Sequence, residues 1–172
     1  MPAVVNVLVR RATEADVDAV MSVGHRTWPP TYGPIAGDDY VAMGLAKWWS
    51  EEATLTAVRA GRMTVAEVVD RAHGDAGEVV GVASAGPHEG RLVLWKLYVL
   101  PERQGQGIGA RLLETVVEGA RGVYPEIRLA YIDGNTTARD FYSHKGFVEV
   151  EREPGSGGLP DTVWMARPVA AG

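Results

Sequence analysis

The chain contains no cysteine among its 172 residues. This absence excludes a disulfide framework, a thiolate nucleophile and a metal site with cysteine ligands. The four histidines are scattered, without the spacing of metal ligands, so we expect no metal. No apolar run is long enough to span a membrane, and the first residues lack the basic segment and long apolar run of a signal peptide. We therefore expect a cytoplasmic protein that does not enter a membrane.

The excess of acidic over basic residues is also small. The formal net charge is −5 at pH 7, which argues against a general nucleic-acid binder. Apolar residues make up 46% and charged residues 23%, as in an ordinary globular protein. We find no repeat, low-complexity tract or dividing linker, and the length suits one full-sized core. The expectation is a single domain over residues 1–172 that binds no nucleic acid.

A glycine-rich turn is the most informative feature of the sequence. A strand pattern over residues 92–100 stops at Pro101, and helical apolar spacing then runs from residue 108 to 120. A strand, a turn and a helix in this order direct several unpaired backbone N–H groups, and the positive end of the helix dipole, at one place. Glycines let the backbone approach an anion closely. We therefore expect a phosphorylated ligand at residues 105–110, where the glycines are Gly105, Gly107 and Gly109.

The periodicity predicts the order β-α-α-β-β-β-α-β-α-β-β. This order defines a mixed α/β domain with a mostly antiparallel central sheet flanked by helices, in which the helix at 108–121 is a crossover. The first helix is expected to begin at an N-cap, Thr13, and to end near Thr27, before a proline pair. A rigid aromatic loop over 28–37 and a helical stretch over 38–60 follow, with Gly44 and Ser50 as candidate breaks. Strands are predicted at 4–10, 63–70, 79–85, 92–100, 127–132, 147–151 and 162–166, with a hairpin turn at 73–77.

Two motifs resemble the cofactor signatures of the GNAT superfamily of acetyl-CoA-dependent N-acetyltransferases. The first motif is Leu97-x-Val99-x-Pro101 followed by Gln104-x-x-Gly107-x-Gly109. The second is Asn135-x-x-Ala138-x-x-Phe141-Tyr142-x-x-x-Gly146-Phe147. The motifs occur in the family's order and at about its separation, and the resemblance covers roughly residues 4–167. It implies an enzyme that moves an acetyl group from acetyl-CoA directly to a primary amine in a ternary complex, since the chain has no cysteine to carry the acetyl group.

The resemblance also implies roles for particular residues. The backbone of residues 97–99 would pair with the pantetheine arm of acetyl-CoA, and the amides of residues 105–110 would hold its pyrophosphate. Asn135 would contact the arm, and Tyr142 would protonate the departing thiolate. The implied acetyl-CoA-binding residues are Leu97, Tyr98, Val99, Gln104, Gly105, Gln106, Gly107, Ile108, Gly109, Ala110 and Asn135. From the residues alone, Tyr142 also fits a core aromatic residue, and Asn135 also fits a plain helix N-cap.

The general base is not assigned, because Trp95 and Ala130 occupy the positions where relatives often have glutamate. The candidate bases are a water chain, His25, Tyr32, His88 and Glu89. Ala110 stands where relatives often have a basic residue, so the candidates for phosphate charge are Arg103, Arg111 and Arg139. The glycine turn also fits a dinucleotide-binding fingerprint, but it lies too late in the chain to leave room for that fold.

The acceptor is the least determined part of the sequence-based hypothesis. Trp28 and Tyr32 are candidate acceptor-pocket residues, although both also suit a core. The region 13–60 resembles small-amine and polyamine acetyltransferases, and peptides, lysine side chains, amino acids and aminoglycosides stay open as acceptors. The alternatives in function are a non-catalytic acetyl-CoA sensor and an enzyme that uses another acyl-CoA. A basic residue near the acyl end would indicate succinyl-CoA, and Lys96 is adjacent but is expected to face away. A homodimer is common for this fold and would use the strands at 147–151 and 162–166.

Overall fold

A computed structural model describes residues 6–69 and 77–170 as helices packed around one sheet. The strands of these ranges are β1 Asn6–Arg11, β2 Met63–Val69, β3 Glu78–His88, β4 Arg91–Val99, β5 Glu126–Ile132, β6 Val148–Glu153 and β7 Thr162–Pro168. Their order across the sheet is β1-β2-β3-β4-β5-β7-β6. Neighbouring strands are antiparallel, except that β4 and β5 are parallel. The predicted mixed, mostly antiparallel sheet is confirmed.

Helices cover both faces of the sheet. Within the described ranges they are α1 Val17–Ala36, α2 Asp38–Trp48, α3 Glu51–Arg59, α4 Ile108–Ala120 and α5 Thr136–His144. The two faces can be told apart on β4, where neighbouring side chains alternate. The Tyr98 hydroxyl bonds to Tyr32 of α1, whereas Val99 lies against Gly109 of α4. Helix α1 therefore covers one face, and α4 covers the other.

Helix α1 extends beyond its predicted end near Thr27, and the predicted loop at 28–37 is wrong. The helix continues to Ala36, and Trp28 and Tyr32 are buried, with 5% and 8% of their surface exposed. Burial of two aromatic rings on one helix face offsets the cost of the prolines, whose rings remove backbone donors. All three prolines are exposed, so water can bond the carbonyls that lost a partner; they are Pro29, Pro30 and Pro34.

The break in the second helical stretch occurs at Ser50, as predicted, and not at Gly44. Ser50 is the N-cap of α3, and its side chain accepts a hydrogen bond from the Ala53 amide at 3.1 Å. Gly44 lies inside α2, where a Cβ atom would come within 1.9 Å of the Trp28 ring. Gly24 of α1 receives the Trp49 ring in the same way, at 2.1 Å. The missing side chains of these two glycines therefore admit the indole rings that join the helices.

The remaining expected elements agree with the structure within a few residues. Thr13 caps the first turn, where its backbone amide donates to the Asp16 carboxylate at 2.7 Å. The predicted start of β1 at residue 4, and residues 73–76 of the predicted hairpin turn, lie outside the described ranges. No helix in the described ranges has the length and apolar character needed to cross a bilayer.

Replacement of Gly44 by alanine tests the packing of the two helices. The added Cβ would overlap the Trp28 ring, so we expect a loss of about 1–3 kcal/mol in the free energy of unfolding. Gly119→Ala is the matched control, because a Cβ there meets nothing within 4 Å and alanine favours the helix by about 0.5–1 kcal/mol. Urea unfolding measures both variants. Equal stability of the two variants would contradict this packing.

Candidate active site

Strands β4 and β5 separate part of the way along the sheet. Their pairing joins Leu92–Leu94 to Ile127–Leu129 and then stops, although β4 continues to Val99. Beyond this point β4 is paired with β3, and β5 is paired with β7. Residues 95–99 therefore form an open edge, whose backbone groups on the side of β5 have no strand partner there. An extended ligand can pair with such an edge as an additional strand would.

A β-bulge marks the start of the open edge. Ser84 of β3 lies opposite Lys96, and the next residue, Ala85, lies opposite Leu94. Trp95 is thus the extra residue in β4. Lys96 shares a face with Tyr98, which lies two residues further on, and the bulge places Leu94 on the opposite face. Trp95 itself is 49% exposed.

The glycine-rich turn lies between the end of β4 and the start of α4. Gly105 and Gly107 both have φ values of +78°, and a Cβ on either would meet nothing within 4 Å. Glycine is therefore required by the backbone conformation and not by crowding. Arg111 makes the first helical bond, from its amide to the Gly107 carbonyl. The amides of residues 108–110 have no helical carbonyl to bond and are free to hold an anion.

Polar side chains near the turn are engaged with the protein. The Gln104 side chain donates to the Val99 carbonyl at 3.1 Å and thereby fastens the turn to β4. Each of the arginines considered for phosphate charge also has a partner. These contacts are Arg111 to the Val7 carbonyl at 2.6 Å, Arg103 to Glu78 at 3.9 Å and Arg139 to Asp140 at 3.0 Å.

Helix α5 brings Asn135 and Tyr142 to the gap between β4 and β5. Asn135 is the N-cap of α5, and its side chain accepts a hydrogen bond from the Ala138 amide at 3.2 Å. The Tyr142 ring packs edge-on against Phe141 and Phe147, with centroids 5.3 and 5.6 Å away. Burial raises the pKa of Tyr142, and the neighbouring Tyr32 raises it further. The Tyr142 phenol therefore keeps its proton at neutral pH.

Three phenols from different elements converge at this place. The hydroxyls of Tyr32 on α1 and Tyr98 on β4 are 2.8 Å apart and share a hydrogen bond. Burial raises the pKa of Tyr98 well above its ordinary value, and interactions with Tyr32 and Tyr142 add to this rise. Burial also raises the pKa of Tyr32, against the hydrogen bond with Tyr98, which lowers it. The cluster is a set of neutral hydroxyl groups.

Aromatic rings line the side of the gap formed by α1 and α2. Trp28 contacts Tyr32, Tyr40 and Trp48, with ring centroids between 4.5 and 5.8 Å apart. Because Trp28 and Tyr32 are buried while Trp48 is 36% exposed, this cluster is core at one end and surface at the other. The structure thus places both sequence-predicted residues in the core, at a site that also borders the open edge.

Three buried indole N–H groups have no hydrogen-bond partner among the described residues. Each of these rings lies beside an aromatic residue of the open edge. The rings of Trp28 and Trp49 lie 6.5 and 5.4 Å from that of Tyr98, and the ring of Trp164 lies 6.5 Å from that of Trp95. The Trp28 N–H is near enough to Tyr98 to oppose the rise in its pKa, yet outside hydrogen-bonding geometry. Unsatisfied donors are unusual in a folded interior, and these border the gap.

Lys96 lies on the same side of the sheet as this aromatic cluster. Its Nζ atom is 5.0 Å from the centroid of the Trp49 ring, and burial lowers its pKa to about 8. The expectation that Lys96 faces away from the site is wrong, because the bulge at Trp95 turns the next side chain toward α1 and α2. Strict alternation along β4 from Tyr98 indicates the correct face.

The candidate bases occupy separate places. Tyr32 belongs to the phenol cluster, and the exposed His88 packs against Trp95 with centroids 5.7 Å apart. His25 is exposed on α1, and Glu89 is exposed in the turn between β3 and β4. Trp95 and Ala130 supply no carboxylate at the gap.

Comparison with known proteins defines the class. The profile of the acetyltransferase (GNAT) domain matches residues 59–149, which include the open edge, the glycine turn, Asn135 and Tyr142. The match covers more than half of the chain, and the chain belongs to the GNAT acetyltransferase family. It is an acyltransferase that uses acetyl-CoA in N-acetylation.

Individual relatives agree with this assignment. The chain is 28% identical over 149 residues to a probable N-acetyltransferase of Mycobacterium tuberculosis, covering 83% of this chain and 80% of that protein. PaiA N-acetyltransferase from Thermoplasma acidophilum, solved with coenzyme A, is 20% identical with a TM-score of 0.74, over 95% of this chain and 99% of that one. The ribosomal-protein-S18-alanine N-acetyltransferase from Escherichia coli is 20% identical with a TM-score of 0.69, over 97% and 96%.

Replacement of Gly107 by alanine tests the glycine turn. A left-handed backbone costs an L-residue about 1–2 kcal/mol, so relaxation of the turn should move the amides and raise the Kd for coenzyme A about tenfold. Gly122→Ala is the matched control, since Gly122 has a φ value of +72° after the other end of α4. Titration calorimetry should show an unchanged Kd for this control. Equal affinities of the two variants would contradict a binding role for the turn.

Proposed function

We propose that this enzyme acetylates the primary amine of a small molecule, polyamine-like or otherwise, or of a peptide, by direct attack on acetyl-CoA. The observation that carries the proposal is the meeting of an open strand edge, a set of unpaired helix amides and a buried phenol at one gap. An extended thioester, its phosphates and its leaving group need these three features. Direct transfer follows because no cysteine is available to carry the acetyl group.

The residues of the gap fit acetyl-CoA. The backbone of Leu97, Tyr98 and Val99 would pair with the pantetheine arm, because this stretch of β4 has no strand partner on the side of β5. The amides of residues 105–110 would hold the pyrophosphate. Asn135 would contact the arm in addition to capping α5. Backbone amides supply most of this binding, so the arginines engaged elsewhere on the protein are not required for it.

Tyr142 is the proposed proton donor to the departing thiolate. Its raised pKa keeps the phenol protonated at neutral pH, so a proton is present for the sulfur as the C–S bond breaks. Within the described residues its hydroxyl makes no hydrogen bond that would hold the proton elsewhere. The Tyr32–Tyr98 pair beside it would limit the approach of water.

The acceptor would enter along the aromatic rings of α1 and α2. Faces of Trp28, Tyr40 and Trp48 attract a cationic amine through cation–π interaction. The unpaired indole donors could bond a carbonyl or hydroxyl group of the acceptor. Among the neighbours, the Escherichia coli enzyme is named for an alanine of a ribosomal protein, which is why peptides stand beside small amines in the proposal.

A homodimer through the last two strands is part of the proposal. Strand β6 lies at the edge of the sheet, and all six of its residues are exposed. Val148 and Val150 are 62% and 46% exposed, and the outer edge of β6 offers backbone groups with which a strand of a second copy would pair.

Tyr142→Phe tests the proton donor across a panel of polyamines, amino acids, peptides and aminoglycosides. For any acceptor that turns over, kcat should fall roughly 10²–10⁴-fold, the range for loss of general acid–base catalysis, while the Kd for acetyl-CoA stays the same. Thiol release at pH 8 measures turnover, and Tyr124→Phe is the control for loss of a phenol elsewhere. A variant as active as the wild type would remove Tyr142 from the mechanism.

Tyr32→Phe tests the acceptor side of the gap. Loss of the hydroxyl leaves Tyr98 without its 2.8 Å partner, which frees the side chains on the acceptor side of the gap, so the KM for the acceptor should rise. The KM for acetyl-CoA should not change. A change in the acetyl-CoA KM alone would place Tyr32 on the cofactor side.

A further inference from the structure

We propose that Lys96 accepts the proton that the acceptor ammonium must lose before its nitrogen can attack. This inference rests on the proposed function, since it needs an amine as the acceptor. It fills the role for which relatives often use a glutamate at the position of Trp95 or Ala130. Lys96 follows directly after the first of these positions.

The backbone of β4 places Lys96 at the gap. The open edge begins with the bulged residue Trp95, and Lys96 is its second residue. It shares its face with Tyr98, whose hydroxyl bonds to Tyr32 and whose pKa is influenced by Tyr142. The lysine and the proposed proton donor Tyr142 are thus associated with the same phenol cluster.

The surroundings of Lys96 favour the neutral amine. Desolvation by burial disfavours the ammonium form and lowers the pKa of Lys96 to about 8, although the buried Trp49 ring, 5.0 Å from Nζ, attracts the cation. Ser84 lies opposite on β3, and Tyr98 follows on β4. In the described ranges no carboxylate forms an ion pair with Lys96.

The charged groups nearby on this face are mostly cations. The Arg62 side chain lies over Gly86 of β3. Arg128 of β5 is opposite Val93 and is bound to Glu126 at 2.8 Å, a carboxylate that Arg91 also binds, at 2.7 Å. This carboxylate is therefore already neutralised. The phenols of Tyr32 and Tyr142 stay uncharged, so no nearby anion raises the pKa of Lys96 again.

The proton balance of the reaction is complete with two side chains. Neutral Lys96 takes the first proton from the acceptor ammonium, and the freed lone pair forms the C–N bond at the thioester carbonyl. When the C–S bond breaks, the electron pair goes to sulfur, and Tyr142 supplies its proton. The second proton from the acceptor nitrogen restores the Tyr142 phenol, and Lys96 releases the first proton to solvent. One amide, one thiol and one proton result from each ammonium and thioester.

The pH profiles of lysine variants test this role. For wild type, kcat/KM should rise with pH through an apparent pKa near 8, the value set by burial of Lys96. Lys96→Met and Lys96→Arg should both lower kcat about 100-fold at pH 8 and lose this inflection, because neither side chain can accept a proton there. Lys47→Met is the matched control, since Lys47 lies over Trp48 at 5.4 Å on the exposed surface of α2. Its profile should match wild type, and all three variants should bind acetyl-CoA normally.

Two outcomes would overturn the inference. Near-normal activity and an unchanged pH profile in Lys96→Arg would show that only the positive charge matters. A ¹³C-lysine NMR titration of the wild-type protein provides the second test and needs no acceptor. The chain has three lysines, Lys47, Lys96 and Lys145, and the resonance that is lost in Lys96→Met belongs to Lys96. This resonance should titrate near pH 8. Titration above pH 10 would exclude Lys96 as the proton acceptor. If no amine is acetylated by wild type, the proposed function fails, while this titration still decides the state of Lys96.

Discussion

The end of pairing between β4 and β5 is the constraint on which the site depends. These strands are the parallel pair of the described sheet, so their carboxyl ends lie at the same edge. Each strand is followed by a helix, β4 by α4 and β5 by α5. Two helix N-termini therefore arrive at this edge, with unpaired amides on α4 and the Asn135 cap on α5. Tyr142 lies in the last turn of α5. Parallel pairing with early divergence is sufficient to bring together residues that lie about 40 positions apart in the chain.

Much of this arrangement follows from local sequence. The glycines at 105 and 107 are needed for backbone angles that other residues adopt at a cost, so the turn could be located without tertiary information. Asn135 has the side chain of an N-cap and caps α5. Strand spacing predicted the sheet class for the same reason, since alternation and turn residues are properties of short segments.

The rest depends on packing between distant segments. Three prolines predicted the end of α1, but burial of Trp28 and Tyr32 against other elements outweighed their local preference. The bulge at Trp95 inserts one residue, so alternation counted from the start of β4 places Lys96 on the wrong face, whereas alternation counted back from Tyr98 places it on the correct one. The phenol cluster combines side chains from α1, β4 and α5, a meeting that no single segment encodes. Local rules therefore predicted the glycine turn and the N-cap of α5, but not the contacts between α1, β4 and α5.

The packing of the Trp28 ring against Gly44 has a consequence for how this enzyme could change its acceptor. Trp28 joins two helices and also borders the gap, so any substitution that reshapes the gap there also loosens the fold. Tyr40 and Trp48 lie farther out in the same cluster, and Trp48 is partly exposed. On the proposed acceptor route, divergence in substrate preference is confined to the outer rings of Tyr40 and Trp48, while the inner ring of Trp28 is fixed by its contribution to stability. Substitutions of Tyr40 or Trp48 would then change the acceptor with little effect on thermal stability, whereas a substitution of Trp28 would change both.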